Sequence, residues 1–146
     1  MLDALAAEIG HALLHLGEFL HEVTARAAAQ NEQYLELMAT PTWNRLNTIT
    51  KDVVWRDDLK SLRDEYLAKG LTEDIPAARA FWDQAEAARR ERGQCGTKDE
   101  TPACKVETRY VYEVFRNTPK ELVFAQLVFG FALAAADTFG ATDAMP

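Results

Sequence analysis

The sequence contains no apolar run of roughly 18 to 20 residues, the length that a helix needs to cross a bilayer. The nearest approach, residues 122–136, includes Gln126 and is too short. The N-terminus, Met-Leu-Asp-Ala-Leu-Ala-Ala-Glu, carries acids where an export signal carries basic residues. We therefore predict no membrane span, and no export signal is visible.

Basic residues are outnumbered by acidic ones, with 16 Lys and Arg against 23 Asp and Glu, so the formal net charge is −7 at pH 7. Affinity for nucleic acids comes chiefly from clustered Lys and Arg. The only basic cluster is Arg89, Arg90 and Arg92, and we assign it to the last turn of a helix, where cations complement the negative end of the helix dipole. We therefore expect no nucleic-acid partner. An acidic surface of this kind would suit a basic protein partner.

Recognisable catalytic motifs are missing too. The sequence has no glycine-rich phosphate loop, no Gly-x-Ser-x-Gly elbow and no convincing Ser, His and Asp order. The carboxylate pairs Asp57-Asp58 and Asp64-Glu65 are adjacent in sequence, so their members lie on different faces of a helix. The sequence therefore identifies no catalytic residue, and an enzyme is not the favoured interpretation.

What the sequence does contain is a set of helix-start signals. Segments with helical periodicity follow three Thr-Pro pairs: Thr40-Pro41, Thr101-Pro102 and Thr118-Pro119. A Thr hydroxyl can accept from the free N–H groups of a first turn, and Pro suits the first helical position. Glu121 would complete a capping box with Thr118. The pattern predicts a single all-α domain over residues 1–139, a five-helix bundle with a frayed tail at 140–146.

Apolar residues at helical spacing over residues 2–38 predict one long N-terminal helix that ends before Thr40. A partner chain that covers the helix and a break near Gln30-Asn31 are the alternatives, because helices this long are unusual in small domains. Residues 41–69 carry two apolar stripes that are out of phase. We therefore expect a break or kink around residues 50–52, or else a helix that is buried on two sides.

Glycine and aspartate mark the next two boundaries. Gly70 should end the preceding helix, with Leu71 making the apolar contact of a glycine C-cap. Asp74 should cap the next helix, which we expect to run to Gly93. A loop should follow over residues 93–100.

The last two segments are harder to assign. Residues 105–116 are rich in Val and Tyr and fit either a strand or a helical face, and Thr101-Pro102 favours a helix. Residues 119–139 are apolar on all sides, which is typical of a central helix wrapped by others. We therefore place Leu127 and Phe131 in the core. An exposed oligomer surface is the alternative.

Cys95 and Cys104 flank the predicted turn between two helices, so we expect them close enough to form a disulfide. Two free thiols or a metal site are the alternatives. A bridge would indicate a location outside the cytoplasm, whereas reduced thiols would fit a cytoplasmic protein.

All three histidines, His11, His15 and His21, lie in the first predicted helix. His11 and His15 share a polar face with Glu18, and imidazole with carboxylate on one face can bind zinc or iron. A zinc site that adds both cysteines is conceivable. The simpler interpretation is a solvated helix face, because this stripe points away from the leucines.

These observations favour a small acidic helical protein that acts by protein–protein binding, as an adaptor, an inhibitor or an immunity-type binder. The alternative is a helical bundle that binds a metal or ligand with the histidine stripe. No cofactor is predicted on the first interpretation, and zinc or iron on the second.

Overall fold

The computed structural model describes residues 2–41 and 43–136, with side chains from His15 onward in these ranges. Within them the order of elements is α1 (Leu2–Ala29), β1 (Tyr34–Ala39), α2 (Asn44–Thr50), α3 (Leu59–Ala68), α4 (Ile75–Arg92), a 3-10 turn (Pro102–Lys105), β2 (Glu107–Tyr112) and α5 (Lys120–Ala135). None of these helices is long and apolar enough to cross a membrane.

The prediction of an all-α fold is wrong, because β1 and β2 form a two-stranded parallel sheet. The Glu107 N–H donates to the Gln33 carbonyl at 2.9 Å, and the Glu113 N–H donates to the Ala39 carbonyl at 3.2 Å. The two strands therefore run parallel and keep the same register over six residues. The helix predicted over residues 105–116 is replaced by β2, where Val and Tyr suit a pleated surface.

The N-terminal helix is shorter than the favoured prediction, and the alternative break near Gln30-Asn31 is confirmed. Asn31 has a positive φ of 62°. The Glu32 N–H reaches back to the Ala27 carbonyl at 2.9 Å, the bond that closes a left-handed helix end. Asn tolerates this conformation better than most residues, so the chain leaves α1 here and enters β1.

The middle of the chain follows the sequence more closely. The predicted break is confirmed, because α2 ends at Thr50 and α3 begins at Leu59. Gly70 adopts a φ of 82°, and the Leu71 N–H bonds to the Tyr66 carbonyl at 3.1 Å, so the predicted glycine C-cap is confirmed. Leu71 is fully buried.

The three Thr-Pro pairs do not cap helices as predicted. The Thr40 hydroxyl donates to the Glu113 carbonyl at 2.9 Å, and the Thr118 hydroxyl donates to the Phe115 carbonyl at 2.8 Å. The N-cap of α5 is Pro119, with no side-chain bond, so the capping box is absent. Thr101 precedes the 3-10 turn and makes no side-chain cap bond either.

The chain divides into two compact units, Met1–Leu37 with Ala80–Arg109, and Met38–Arg79 with Tyr110–Pro146. We refer to them as the first and second units. The predicted single domain over residues 1–139 stays a prediction, and the tail at 140–146 lies outside the described residues.

In the first unit, α1 and α4 cross closely at Gly17. A Cβ atom built on Gly17 would lie 2.5 Å from the Cβ of Ala88, so no other residue fits here without moving a helix. Leu20 on α1 and Ala85 on α4, each three residues from this contact along its own helix, are buried.

The second unit holds the larger apolar cluster. It collects buried side chains from α2, α3, α5 and the loops between them: Leu46, Ile49, Val53, Leu62, Tyr66, Leu71, Ala78, Leu122, Ala125, Phe129 and Leu133. The five buried residues of α5 share one direction at 100° per residue. Phe124 and Val128 of the same helix are partly buried and also pack against the cluster.

Candidate functional site

The side chain of Gln126 anchors the start of α5 to the preceding loop. Gln126 is fully buried, and its Oε1 accepts from the Phe115 N–H at 2.8 Å. Its Nε2 donates to the Leu122 carbonyl at 3.2 Å and lies 3.3 Å from the Thr118 hydroxyl. A buried amide with satisfied partners fixes the orientation of the helix.

Two tyrosines contact the same helix and differ in hydrogen bonding. The Tyr66 hydroxyl donates to the Glu121 carbonyl at 2.9 Å. The Tyr112 ring lies against Gly130, where an added Cβ would come within 2.8 Å of the ring. The Tyr112 hydroxyl is buried and has no hydrogen-bond partner among the described residues.

Burial raises the pKa of both phenols, that of Tyr66 to about 12. A group whose pKa is raised in the folded state favours folding below its unfolded pKa, near 10 for a tyrosine. That contribution is lost as the pH rises through the folded pKa. Ionisation of either phenol therefore opposes folding, so the free energy of unfolding should fall in strong alkali.

We expect Tyr112→Phe to increase the free energy of unfolding by about 1 kcal/mol, because it removes a buried hydroxyl that has lost water without gaining a partner. Tyr66→Phe is the matched control and should lower that free energy by about 1 kcal/mol, since the Glu121 carbonyl loses its donor. Urea denaturation at neutral pH measures both changes. An equal loss in the two variants would contradict the prediction.

These anchors leave an apolar surface on the other side of α5. Phe131 is 75% exposed and Leu127 is 42% exposed. Phe124 is half-buried, with its ring against those of Trp55 and Tyr66. We define the α5 outer face as the residues that share this direction: Lys120, Phe124, Leu127, Phe131 and Ala135.

The placement of α5 corrects two predictions. Leu127 and Phe131 are not core residues, and α5 is not a central helix wrapped on all sides. The buried positions are Leu122, Ala125, Gln126, Phe129 and Leu133. The apolar composition did not reveal which side of α5 is buried, because both sides of the helix are apolar. Leu127 and Phe131 are exposed, whereas the alternative that we gave, an oligomer surface, stays a prediction.

The Cys95 and Cys104 sulfurs lie at disulfide bonding distance, 1.98 Å, with Cα atoms 5.4 Å apart. The predicted proximity is confirmed. Gly93 lies directly beneath them, and a Cβ there would come within 2.8 Å of the Cys104 sulfur. The Thr101 N–H donates to the Gly93 carbonyl at 2.9 Å and closes the same loop.

Denatured, unreduced protein should therefore show no reactive thiol, and reduction should release two. Reduction should also lower the free energy of unfolding by about 2 to 3 kcal/mol, because the open loop gains entropy in the unfolded chain. Thiol titration and urea denaturation test the two statements, with the Cys95→Ser and Cys104→Ser double variant as the control. Two reactive thiols before reduction would contradict the bridge.

The predicted metal residues are only partly placed. His15 Nδ1 lies 3.2 Å from Glu18 Oε2, and the other oxygen of Glu18 pairs with Arg92 on α4. The side chain of His11 lies outside the described residues. From His15 onward, no group of three or more His, Cys, Asp or Glu side chains in the described ranges could hold a metal. The zinc or iron site at His11, His15 and Glu18 stays a prediction.

The basic cluster at the end of α4 is divided among three roles. Arg89 is 3% exposed, and its Nη1 donates to the Ala103 carbonyl at 3.1 Å. Arg92 pairs with Glu18, and Arg90 is exposed. The predicted last-turn position is confirmed. The sequence did not reveal that one of the three is an internal residue.

No protein-family model, no curated protein and no solved structure matches the chain. The functional interpretation therefore rests on the described surface.

Proposed function

We propose that this protein acts by binding a protein, and that the α5 outer face is the contact surface. The observation that carries the proposal is the exposure of Phe131, at 75%, one turn from Leu127. Monomeric proteins rarely expose contiguous apolar patches larger than a few hundred Å², and patches above that size mark interaction sites. Adaptor, inhibitor and immunity-type roles all use such a surface.

The hydrogen bonds and close contacts on the inner side of α5 support this function. Gln126 and the two tyrosines hold the inner side of the helix, so the outer side chains need little ordering when a partner binds. Binding from a preformed surface avoids part of the entropy cost of association. A large aromatic residue in such a position is a typical hot spot.

The acidic groups support a basic partner less directly. Many of them pair within the chain: Arg45 binds Glu73 and Asp74, while Asp64 pairs with Lys60 and Arg63. The α5 outer face itself carries no carboxylate. We therefore propose an apolar contact, and a basic partner stays a prediction. The Cys95–Cys104 pair supports a location outside the cytoplasm.

A capture experiment with matched variants tests the proposal. We expect Phe131→Glu to weaken partner binding by at least about 30-fold, because a hot-spot loss costs 2 kcal/mol or more. Phe19→Glu on α1 is the control, since Phe19 is similarly exposed at 69%. Tagged wild-type protein captures its binding partners, and an untagged copy of the same chain is included among the candidates. Each captured protein is identified and purified, and its affinity for the wild type and for both variants is then measured.

Only proteins that are lost with Phe131→Glu and retained with Phe19→Glu support the α5 outer face. Binding that survives Phe131→Glu would overturn the proposal. Repeating the measurement at low and high salt separates the two kinds of contact. Screening weakens an acidic-to-basic contact and leaves an apolar one nearly unchanged.

A further inference from the structure

We propose that the molecule bound by the α5 outer face is a second copy of this chain, joined through an antiparallel pair of α5 helices about a two-fold axis. This inference rests on the proposed function and names its partner. It follows from the arrangement of apolar and charged groups along the helix.

The α5 outer face is complementary to itself when reversed. The midpoint of Lys120–Ala135 lies between Leu127 and Val128. A two-fold axis at that midpoint places the Leu127 side chains of both copies near the centre. It also sets Phe131 of each copy against Phe124 of the other. A two-fold interface uses the same patch on both molecules, and this patch has apolar groups on both sides of its centre.

The charges at the two ends of α5 match in the same arrangement. Lys120 is the one charged member of the α5 outer face, and it lies at the N-terminal end. The last turn of α5 has no basic residue to offset the negative end of the helix dipole. Antiparallel pairing brings Lys120 of each copy to Ala135 and the C-terminal carbonyls of the other.

Lys120 and Phe124 of the α5 outer face share one aromatic neighbour. Its ammonium group lies 4.8 Å from the centroid of the Trp55 ring, and Trp55 also packs edge-on against Phe124. A basic partner would need carboxylates on this face, and the face has none. A second copy supplies both the apolar surface and the uncompensated helix end that the first one requires.

The size of the contact predicts a reversible dimer. A helix of 16 residues is about 24 Å long. Two such helices bury less than the roughly 800 Å² per partner of a standard interface. We therefore expect a dissociation constant in the micromolar range, so the dimer should form and dissociate with concentration.

Sedimentation velocity from about 1 μM to about 500 μM measures this equilibrium. We expect a concentration-dependent shift from monomer to dimer in wild type and in Phe19→Glu. Phe131→Glu should remain monomeric throughout. A wild-type monomer over the full range would overturn the inference. The proposed function would still stand if capture then showed another protein that depends on Phe131.

A charge exchange tests the antiparallel arrangement. Ala135→Lys should weaken the dimer about three- to tenfold, because the new cation meets Lys120 of the other copy at two symmetric places. Adding Lys120→Glu to Ala135→Lys should restore it, since opposite charges then meet. In a parallel pair, like charges would meet at both ends of the double variant. A double variant that dimerises no more tightly than Ala135→Lys would therefore overturn the antiparallel arrangement.

Discussion

Phe129→Ala should lower the free energy of unfolding by about 3 to 5 kcal/mol, whereas Phe131→Ala should change it by no more than about 0.5 kcal/mol. The two residues stand two positions apart on α5. Phe129 is 1% exposed, and its ring centroid lies 5.6 Å from that of Tyr112. Truncation there leaves a cavity, whereas Phe131 is already in contact with solvent.

Urea denaturation of both variants measures the difference. It is best done at low protein concentration, where self-association makes no contribution to stability. Equal losses would show that the apolar outer side of α5 is covered within one chain. That result would also remove the basis for the contact surface. A large loss in the free energy of unfolding for Phe129→Ala alone would establish which side of α5 is buried, independently of any binding measurement.

This pair of residues shows what the sequence could not predict. The existence of α5 was predictable from its composition and length. The side of α5 that is buried was not predictable, because Leu127 and Phe131 are as apolar as the buried Phe129. Helical periodicity identifies the buried side of a helix only when the other side is polar. Gly130 was the better signal in retrospect, since a glycine inside a helix often marks a close approach, here by Tyr112.

The Thr-Pro pairs show the limit of local motifs. The same hydroxyl that can cap a helix can instead donate to a carbonyl, and Thr40 and Thr118 both do so. In β2, Val and Tyr satisfied the periodicity of a helix and the preference of a strand alike. Gly70 was predictable because its motif is completed by neighbours in sequence. The pairing of β1 with β2 depends on residues more than 70 positions apart.

The disulfide partners were predictable for the same local reason, because only a short loop separates Cys95 from Cys104. The candidate contact surface was not, since it depends on which side of α5 the second unit covers. Buried polar groups such as Gln126 are equally hard to foresee. Their partners are backbone groups, which the sequence does not distinguish.

Arg89→Ala should lower the free energy of unfolding by about 3 kcal/mol, because it removes the buried guanidinium of an ion pair whose carboxylate is partly exposed. The Arg89 Nε lies 3.0 and 2.9 Å from the two carboxylate oxygens of Glu86. Its Nη1 also donates to the Ala103 carbonyl, next to Cys104. The substitution removes the guanidinium that donates to that carbonyl and to both oxygens of the Glu86 carboxylate.

Two control variants separate the causes of this loss. Arg90→Ala changes the same formal charge at an exposed position, so it should cost no more than about 0.5 kcal/mol. Arg89→Lys keeps the charge but loses the planar fork that reaches Glu86 and Ala103 together, so we expect an intermediate loss. Urea denaturation of the three variants at low and high salt measures these changes. If Arg89→Ala lowered the free energy of unfolding as little as Arg90→Ala, the helix dipole alone would explain the position of the basic cluster. A large loss that salt does not reduce would identify Arg89 as the internal link between α4 and the loop closed by Cys104.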